Sequence, residues 1–148
     1  MDGIHLLGEW YGCPADTPVF TQADALRDVC RKAVEEAGLT IVGDRFFQFK
    51  PQGVTGTVLL AESHLAIHTW PEAGFVAVDV YVCNYSADNS AKARKLLTNS
   101  SRRASLETPE GSRRHHLSGP GDSAVIRARL VTDDHAARFD EDRRPSRC

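Results

Sequence analysis

The chain has 148 residues, 41% of them hydrophobic, which is enough to bury one compact core without a disulfide or a metal staple. Its 18 basic and 20 acidic side chains give a net charge of −2, which excludes a general polyanion binder, so no nucleic-acid partner is expected. No run reaches the roughly 18 consecutive apolar residues that a membrane-spanning helix needs, so no membrane partner is expected either.

The cysteines and the first residues of the chain predict where in the cell the protein is found. Cys13, Cys30, Cys83 and Cys148 are scattered, and none belongs to a Cys-x-x-Cys pair. The first residues, Met-Asp-Gly-Ile-His, lack the basic segment and apolar run of a secretory signal. We therefore expect reduced thiols and a cytoplasmic location.

The first predicted elements are a strand over residues 3–10 and a helix over residues 22–37. The helix has an apolar stripe with the i, i+3, i+4, i+7 spacing of one buried face: Leu26, Val29, Cys30, Ala33, Val34 and Ala37. Thr21 is the predicted N-cap, and Gly38 is predicted to end the helix.

The middle of the chain is typical of strands joined by short turns. Residues 40–49 and 54–61 are rich in β-branched and aromatic side chains, and Pro51-Gln52-Gly53 separates them. The side chains of residues 75–82 alternate between two faces, as in a strand. One face of that strand would carry Val76, Val78, Val80 and Val82, and the other Phe75, Ala77, Asp79 and Tyr81.

The composition changes near residue 99. A second helix is predicted over about 87–98, with a weaker stripe of Ala87, Ala91 and Leu97. The Ser-, Arg-, Gly- and Pro-rich segment 99–123 is predicted to be a long loop or linker.

The remaining residues complete one domain. Residues 124–131 alternate apolar and basic side chains, as an exposed or edge strand would, and 133–148 is predicted to be a flexible tail. We therefore expect a single domain over 1–132 of the α+β class. Hairpin-length connections favour a mostly antiparallel sheet with two helices on one face.

The segment from Ala61 to Glu72, AESHLAIHTWPE, has the greatest density of reactive side chains. If 64–70 is a strand, Leu65 and Ile67 face the core. The opposite face then carries His64, Ala66, His68 and Trp70. From the spacing alone, packing at a dimer surface is favoured over a functional site as the explanation of this face.

A metal site is not predicted. His64 and His68 would share one side of a helix, but Pro71 and the alternation favour a strand. On a strand their side chains lie roughly 13 Å apart, too far to share one ion.

Three motifs identify a family. Gly53–Gly56 (GVTG), Ala61–Glu72 and Ala77–Cys83 (AVDVYVC) closely resemble the bacterial-type S-adenosylmethionine decarboxylase proenzyme family, which is pyruvoyl-dependent. The resemblance covers about residues 1–98. It implies a two-layer α/β sandwich that forms a homodimer with active sites at or near the interface.

The resemblance implies that the chain cuts itself. The break would lie between Glu62 and Ser63, giving a β chain of residues 1–62 and an α chain of residues 63–148. Ser63 would become a covalent pyruvoyl cofactor. His68 matches the family histidine that promotes this processing, and Thr55 matches a hydroxyl that assists it. The family commonly has serine at that position, so Thr55 is a departure.

The resemblance also implies the reaction and the remaining site residues. The pyruvoyl carbonyl would form a Schiff base with S-adenosylmethionine and act as an electron sink while CO2 leaves, for polyamine (spermidine) synthesis. Cys83 matches the acid that returns a proton. Of the substrate-binding residues, Phe49 matches an aromatic position suited to the adenine or the sulfonium, Glu72 matches a carboxylate position suited to the ribose, and Trp70 is adjacent.

Two alternatives remain open. The same self-processing core serves any α-amino acid, so arginine or ornithine could be the substrate. The atypical segment 99–123 also allows an unprocessed homologue that acts as a binding or regulatory partner.

Overall fold

The computed structural model describes residues 3–84, 87–106 and 126–132. It contains six strands, three α-helices and a short 3-10 turn at Pro71–Ala73 in these ranges. In chain order the strands and helices are β1 (Gly3–Tyr11), α1 (Pro18–Thr21), α2 (Ala23–Ala37), β2 (Ile41–Gln48), β3 (Val54–Leu60), β4 (Ser63–Trp70), β5 (Phe75–Cys83), α3 (Ser90–Leu106) and β6 (Ile126–Thr132).

The strands form one sheet in the order β2-β3-β4-β5-β1-β6, and every neighbouring pair is antiparallel. The helices pack on one face, with α2 over β2 and β3, α3 over β1 and β5, and α1 against β4. The predicted antiparallel sheet with helices on one face is therefore confirmed, and β6 is an edge strand as predicted. The four-residue helix α1 was not predicted, because it is too short to show helical periodicity.

The core lies between the helices and this face of the sheet. All six residues of the predicted α2 stripe are buried, and Gly38 ends the helix in the left-handed conformation with φ +76°. The N-cap prediction is wrong, because Gln22 holds that position. Thr21 belongs to α1 instead, and its hydroxyl donates back to the Thr17 carbonyl at 3.1 Å.

Helix α3 corrects two predictions. It begins at Ser90, whose N–H donates to the Asp88 carboxylate at 2.9 Å, and it continues through residues 99–106, which were predicted to be loop. Its buried stripe is Ala93, Leu96, Leu97, Asn99 and Ser100, whereas Ala87 and Ala91 are exposed. The rest of the predicted loop and the predicted tail 133–148 lie outside the described residues.

No described helix covers the opposite face of the sheet, which we call the open face. It carries the second set of β5 side chains, as predicted, together with the alternate residues of β1, β3 and β4. Large apolar side chains are exposed there, including Phe47 at 55%, Leu59 at 48% and Trp70 at 41%. Among the described residues, no helix has the length and apolar character to cross a membrane.

Candidate active site

Strand β4 carries most of the candidate site residues. Leu65 and Ile67 are buried in the core, and His64, His68 and Trp70 lie on the open face, as the alternation predicts. The antiparallel registers fix their neighbours on both sides. His68 lies opposite Thr55 of β3, and His64 lies opposite Tyr81 of β5.

Ser63 stands at the first position of β4 with an unusual backbone. Its φ is +147°, and it is the one non-glycine residue with a positive φ among the residues that the structure describes. Such conformations cost a non-glycine residue about 1–3 kcal/mol and cluster at functional sites. The peptide bond between Glu62 and Ser63 is therefore followed by a strained residue at the tight β3–β4 connection.

The carbonyl of Glu62 is held by a neighbouring strand. The Cys83 backbone N–H donates to this carbonyl oxygen at 2.9 Å. On the other side, the Ala61 N–H donates to the Thr40 carbonyl at 2.9 Å, which anchors the same turn. A donor at the Glu62 oxygen polarises the carbonyl and would stabilise an oxyanion formed there.

The described cysteines differ in their surroundings. Cys13, Cys30 and Cys83 are free thiols. Burial raises the pKa of Cys13 to about 11 and the pKa of Cys30 to about 12, so neither is a thiolate at neutral pH. Cys83 is half-buried at the end of β5, beside Glu62, and is the thiol placed at this end of the site.

A cavity of about 530 Å³ lies at the other end of β4. Its lining includes five of the predicted site residues, Phe49, Thr55, His68, Trp70 and Glu72. The Thr55 hydroxyl and Nδ1 of His68 are 2.6 Å apart, which is hydrogen-bond distance. Volumes of 300–1,000 Å³ are typical of small-molecule sites, so the cavity is large enough for a nucleoside-sized ligand.

Two polar side chains that were not predicted to be functional hold this cavity in shape. Gln48 donates to the Gly53 carbonyl at 2.9 Å and accepts the Ala23 N–H at 2.9 Å, which ties the Phe49 loop to the start of α2. The buried Thr69 hydroxyl donates to the Phe20 carbonyl and accepts the Val54 N–H, both at 2.8 Å. Neither residue has a sequence signal, because each acts on backbone groups that only the fold brings near.

The predicted residues therefore form two groups. Ser63 and Cys83 lie at one end of β4, and the cavity residues around His68 lie at the other. Ser63 and His68 are five positions apart on one strand, or about 16 Å at 3.3 Å per residue. A single copy of the chain does not bring the two groups together.

A third group, on the open face, was not predicted to be functional. Asp79 of β5 lies between two imidazoles, with both carboxylate oxygens 2.9 Å from Nε2 of His5 and one oxygen 3.5 Å from Nε2 of His64. Nδ1 of His64 is in turn 3.1 Å from the Ser63 hydroxyl. No local sequence pattern marks this group, because the β4–β5 and β1–β5 registers bring its members together.

Comparison with known proteins gives one consistent family. Residues 4–114 match the family model described as S-adenosylmethionine decarboxylase. The chain is 47% identical over 81 residues to the S-adenosylmethionine decarboxylase proenzyme of Aquifex aeolicus (strain VF5), covering 55% of this chain and 58% of that protein. It is 42% identical over 86 residues to the proenzyme of Pyrococcus abyssi (strain GE5 / Orsay), covering 58% of this chain and 60% of that protein.

A solved structure is similar over more of the chain. The crystal structure of the adenosylmethionine decarboxylase from Aquifex aeolicus VF5 superimposes with a TM-score of 0.66 at 31% sequence identity. This match covers 88% of the present chain and 89% of that one. By sequence, the chain matches less than two thirds of the length of the curated relatives named above.

Proposed function

Because the chain belongs to the S-adenosylmethionine decarboxylase family, we propose that it is a self-processing, pyruvoyl-dependent decarboxylase. Its substrate would be S-adenosylmethionine, and its products S-adenosylmethioninamine and CO2, for polyamine synthesis. The relatives named as proenzymes support a chain that is made uncut and then processes itself.

The conformation of the Glu62–Ser63 peptide is the observation that carries this proposal. The positive φ of Ser63 and the Cys83 N–H on the Glu62 carbonyl suit attack by the Ser63 hydroxyl on that carbonyl carbon. The amide then becomes an ester and the strain at Ser63 is relieved. Removal of the Ser63 α-proton eliminates the ester, and hydrolysis with loss of ammonia leaves the pyruvoyl terminus. The β chain would be residues 1–62 and the α chain residues 63–148.

We propose that two copies of the chain complete each active site. His68 is about 16 Å from Ser63 along β4, far beyond the distance of a direct proton transfer. A two-fold axis across the middle of β4 would pack the open faces together and place the partner's His68 near Ser63. The exposed apolar side chains Phe47, Leu59 and Trp70 support burial of this face.

In this dimer the partner's cavity supplies the second half of the site. His68, oriented by the Thr55 hydroxyl, would remove the Ser63 α-proton. The residue at position 55 need only keep a hydroxyl for this role, so the threonine is compatible with processing. Phe49, Trp70 and Glu72 would bind the aromatic, cationic and hydroxyl-bearing parts of the substrate.

The residues around Ser63 fit the cofactor, since the hydroxyl and the strained peptide from which it is made are both there. The pyruvoyl carbonyl supplies an electron sink for decarboxylation of an α-amino acid. Cys83 lies beside this position, and its thiol would return a proton to the substrate carbon. We propose that this chemistry belongs to one domain, residues 1–132, acting in the cytoplasm as the free thiols suggest.

The test is release of CO2 from carboxyl-labelled substrates by the purified protein. We expect release from S-adenosylmethionine and none above background from arginine or ornithine. The Ser63→Ala chain is the control, because it lacks the hydroxyl that makes the cofactor and should be inactive. Release from arginine or ornithine alone would replace the proposed substrate, and no release from any of the three would contradict the proposal.

A further inference from the structure

We infer that His64 is the base that accepts the hydroxyl proton of Ser63 in self-cleavage, and that Asp79 and His5 position it. This inference rests on the proposed function, since it assigns the first step of the same processing reaction. His64 is a different residue from His68, which is proposed to act in the later elimination step.

The distances form a continuous chain of polar contacts. The Ser63 hydroxyl is 3.1 Å from Nδ1 of His64, and Nε2 of His64 is 3.5 Å from Asp79. An ionised Asp79 accepts hydrogen bonds only, so it favours the His64 tautomer with its proton on Nε2. That tautomer leaves the Nδ1 lone pair directed at the Ser63 hydroxyl.

His5 holds the carboxylate from the other side. Its Nε2 lies 2.9 Å from both oxygens of Asp79, so the carboxylate has an imidazole nitrogen on each flank. The three residues come from adjacent strands, β4, β5 and β1, whose ladders fix their spacing. Tyr81 separates the two imidazoles, with ring centroids 5.6 Å from His5 and 6.1 Å from His64.

This step neither gains nor loses a proton overall. Nδ1 of His64 takes the proton of the Ser63 hydroxyl while the oxygen bonds to the Glu62 carbonyl carbon. The Cys83 N–H stabilises the resulting oxyanion. When the carbon–nitrogen bond breaks, the imidazolium returns the proton to the Ser63 nitrogen. The products are an ester and a free amine, with no net change in the protons held by His64.

This role is separate from that proposed for His68. His64 is beside the Ser63 hydroxyl in the same copy of the chain, whereas His68 is about 16 Å away and reaches Ser63 only from a partner. The first proton comes from an oxygen and the second from the α-carbon of Ser63. Two proton transfers at two positions are therefore matched by two histidines.

The two steps are separated by working in a His68→Ala background. There the ester should accumulate, because its elimination is blocked. Hydroxylamine cleaves esters and spares amides, so the rate of hydroxylamine-dependent cleavage of the full-length chain reports the first step alone. The chain is made by cell-free synthesis and followed by intact mass.

In this background Asp79→Asn should slow hydroxylamine-dependent cleavage by about 10- to 100-fold, and His64→Gln by about 100-fold or more. Asp79→Glu, which keeps the carboxylate, should recover most of the rate. The matched control is Asp44→Asn on β2, which removes a carboxylate paired with Arg31 of α2 and should leave the rate unchanged. Circular dichroism tests whether each variant is folded. If Asp79→Asn does not fold, the cleavage rate of His64→Gln decides the result.

The conservative variant separates this role from a structural one. Asp79→Glu keeps the carboxylate that faces His64, whereas Asp79→Asn keeps the size of the side chain and loses the charge. Recovery of the rate with glutamate, but not with asparagine, therefore reports the carboxylate itself.

The outcomes distinguish the two proposals. An equal rate for Asp79→Asn and the parent would overturn the positioning role of Asp79, and an unchanged rate for His64→Gln would overturn the role of His64 as the base. Either result leaves self-cleavage intact if the native chain is still cut. A native chain that is never cut would instead remove the proposed function itself.

Discussion

If each active site combines Ser63 of one copy with His68 of another, two inactive variants should restore processing when they are made together. Ser63→Ala removes the hydroxyl, and His68→Ala removes the base that takes the α-proton. In a heterodimer of the two, one site loses both residues and the other keeps both. The intact site lies on the His68→Ala chain, because that chain still carries Ser63.

The expected yield follows from the geometry. Within one copy the two residues are about 16 Å apart, so neither variant alone can complete the reaction. Random pairing of equal amounts puts about half of the His68→Ala chains in heterodimers, and each of these has a complete site. About half of the His68→Ala chains should therefore acquire a pyruvoyl terminus, and no Ser63→Ala chain should.

The assay is co-expression followed by intact mass spectrometry. The two variants differ in mass, so each α chain is assigned to its parent. His68→Ala expressed alone gives the background. A shared active site is ruled out if co-expression leaves the pyruvoyl-terminated fraction at that background, or if His68→Ala alone processes at the native rate.

Three further predictions concern other parts of the molecule. Cys83→Ala should lower kcat for decarboxylation by about 10²- to 10⁴-fold but leave self-cleavage intact, because the backbone N–H on Glu62 remains; loss of cleavage would contradict this. Gly56→Ala should destabilise by about 1–3 kcal/mol in denaturant unfolding. A Cβ there would lie 2.1 Å from the Phe46 ring, whereas the control Gly43→Ala meets Leu59 at 3.7 Å and should be tolerated. Burial raises the pKa of Cys30 from 9.0 to about 12. The contribution of this thiol to the free energy of unfolding is therefore complete below pH 9 and is lost as the pH rises to about 12. Cys30→Ala should reduce the loss of stability measured over this alkaline range.

Elements with strong local periodicity were predictable from the sequence. Leu26 to Ala37 have the 3.6-residue period of α2, and the four valines of β5 have the two-residue period of a strand, so both faces were assigned correctly. Helix α3 beyond residue 98 was missed because its sequence is rich in Ser and Arg. Its helical state depends on packing, with Ser100 buried and Arg103 paired with Glu36 of α2.

The site was predictable only in part for the same reason. Motif resemblance marked Ser63 and the residues around His68, but it did not show that these residues lie at opposite ends of β4. The contact between His64 and Asp79 depends on the β4–β5 register, and the bond from Cys83 to Glu62 depends on where β5 ends against the turn. Neither is a property of a local stretch of sequence.

The most direct measurement of the central claim is the intact mass of the freshly purified chain. Self-cleavage should give two fragments, of residues 1–62 and 63–148, and an α-chain terminus that reacts with a hydrazine probe for ketones. A single species of 16.3 kDa that does not react with the probe would contradict it.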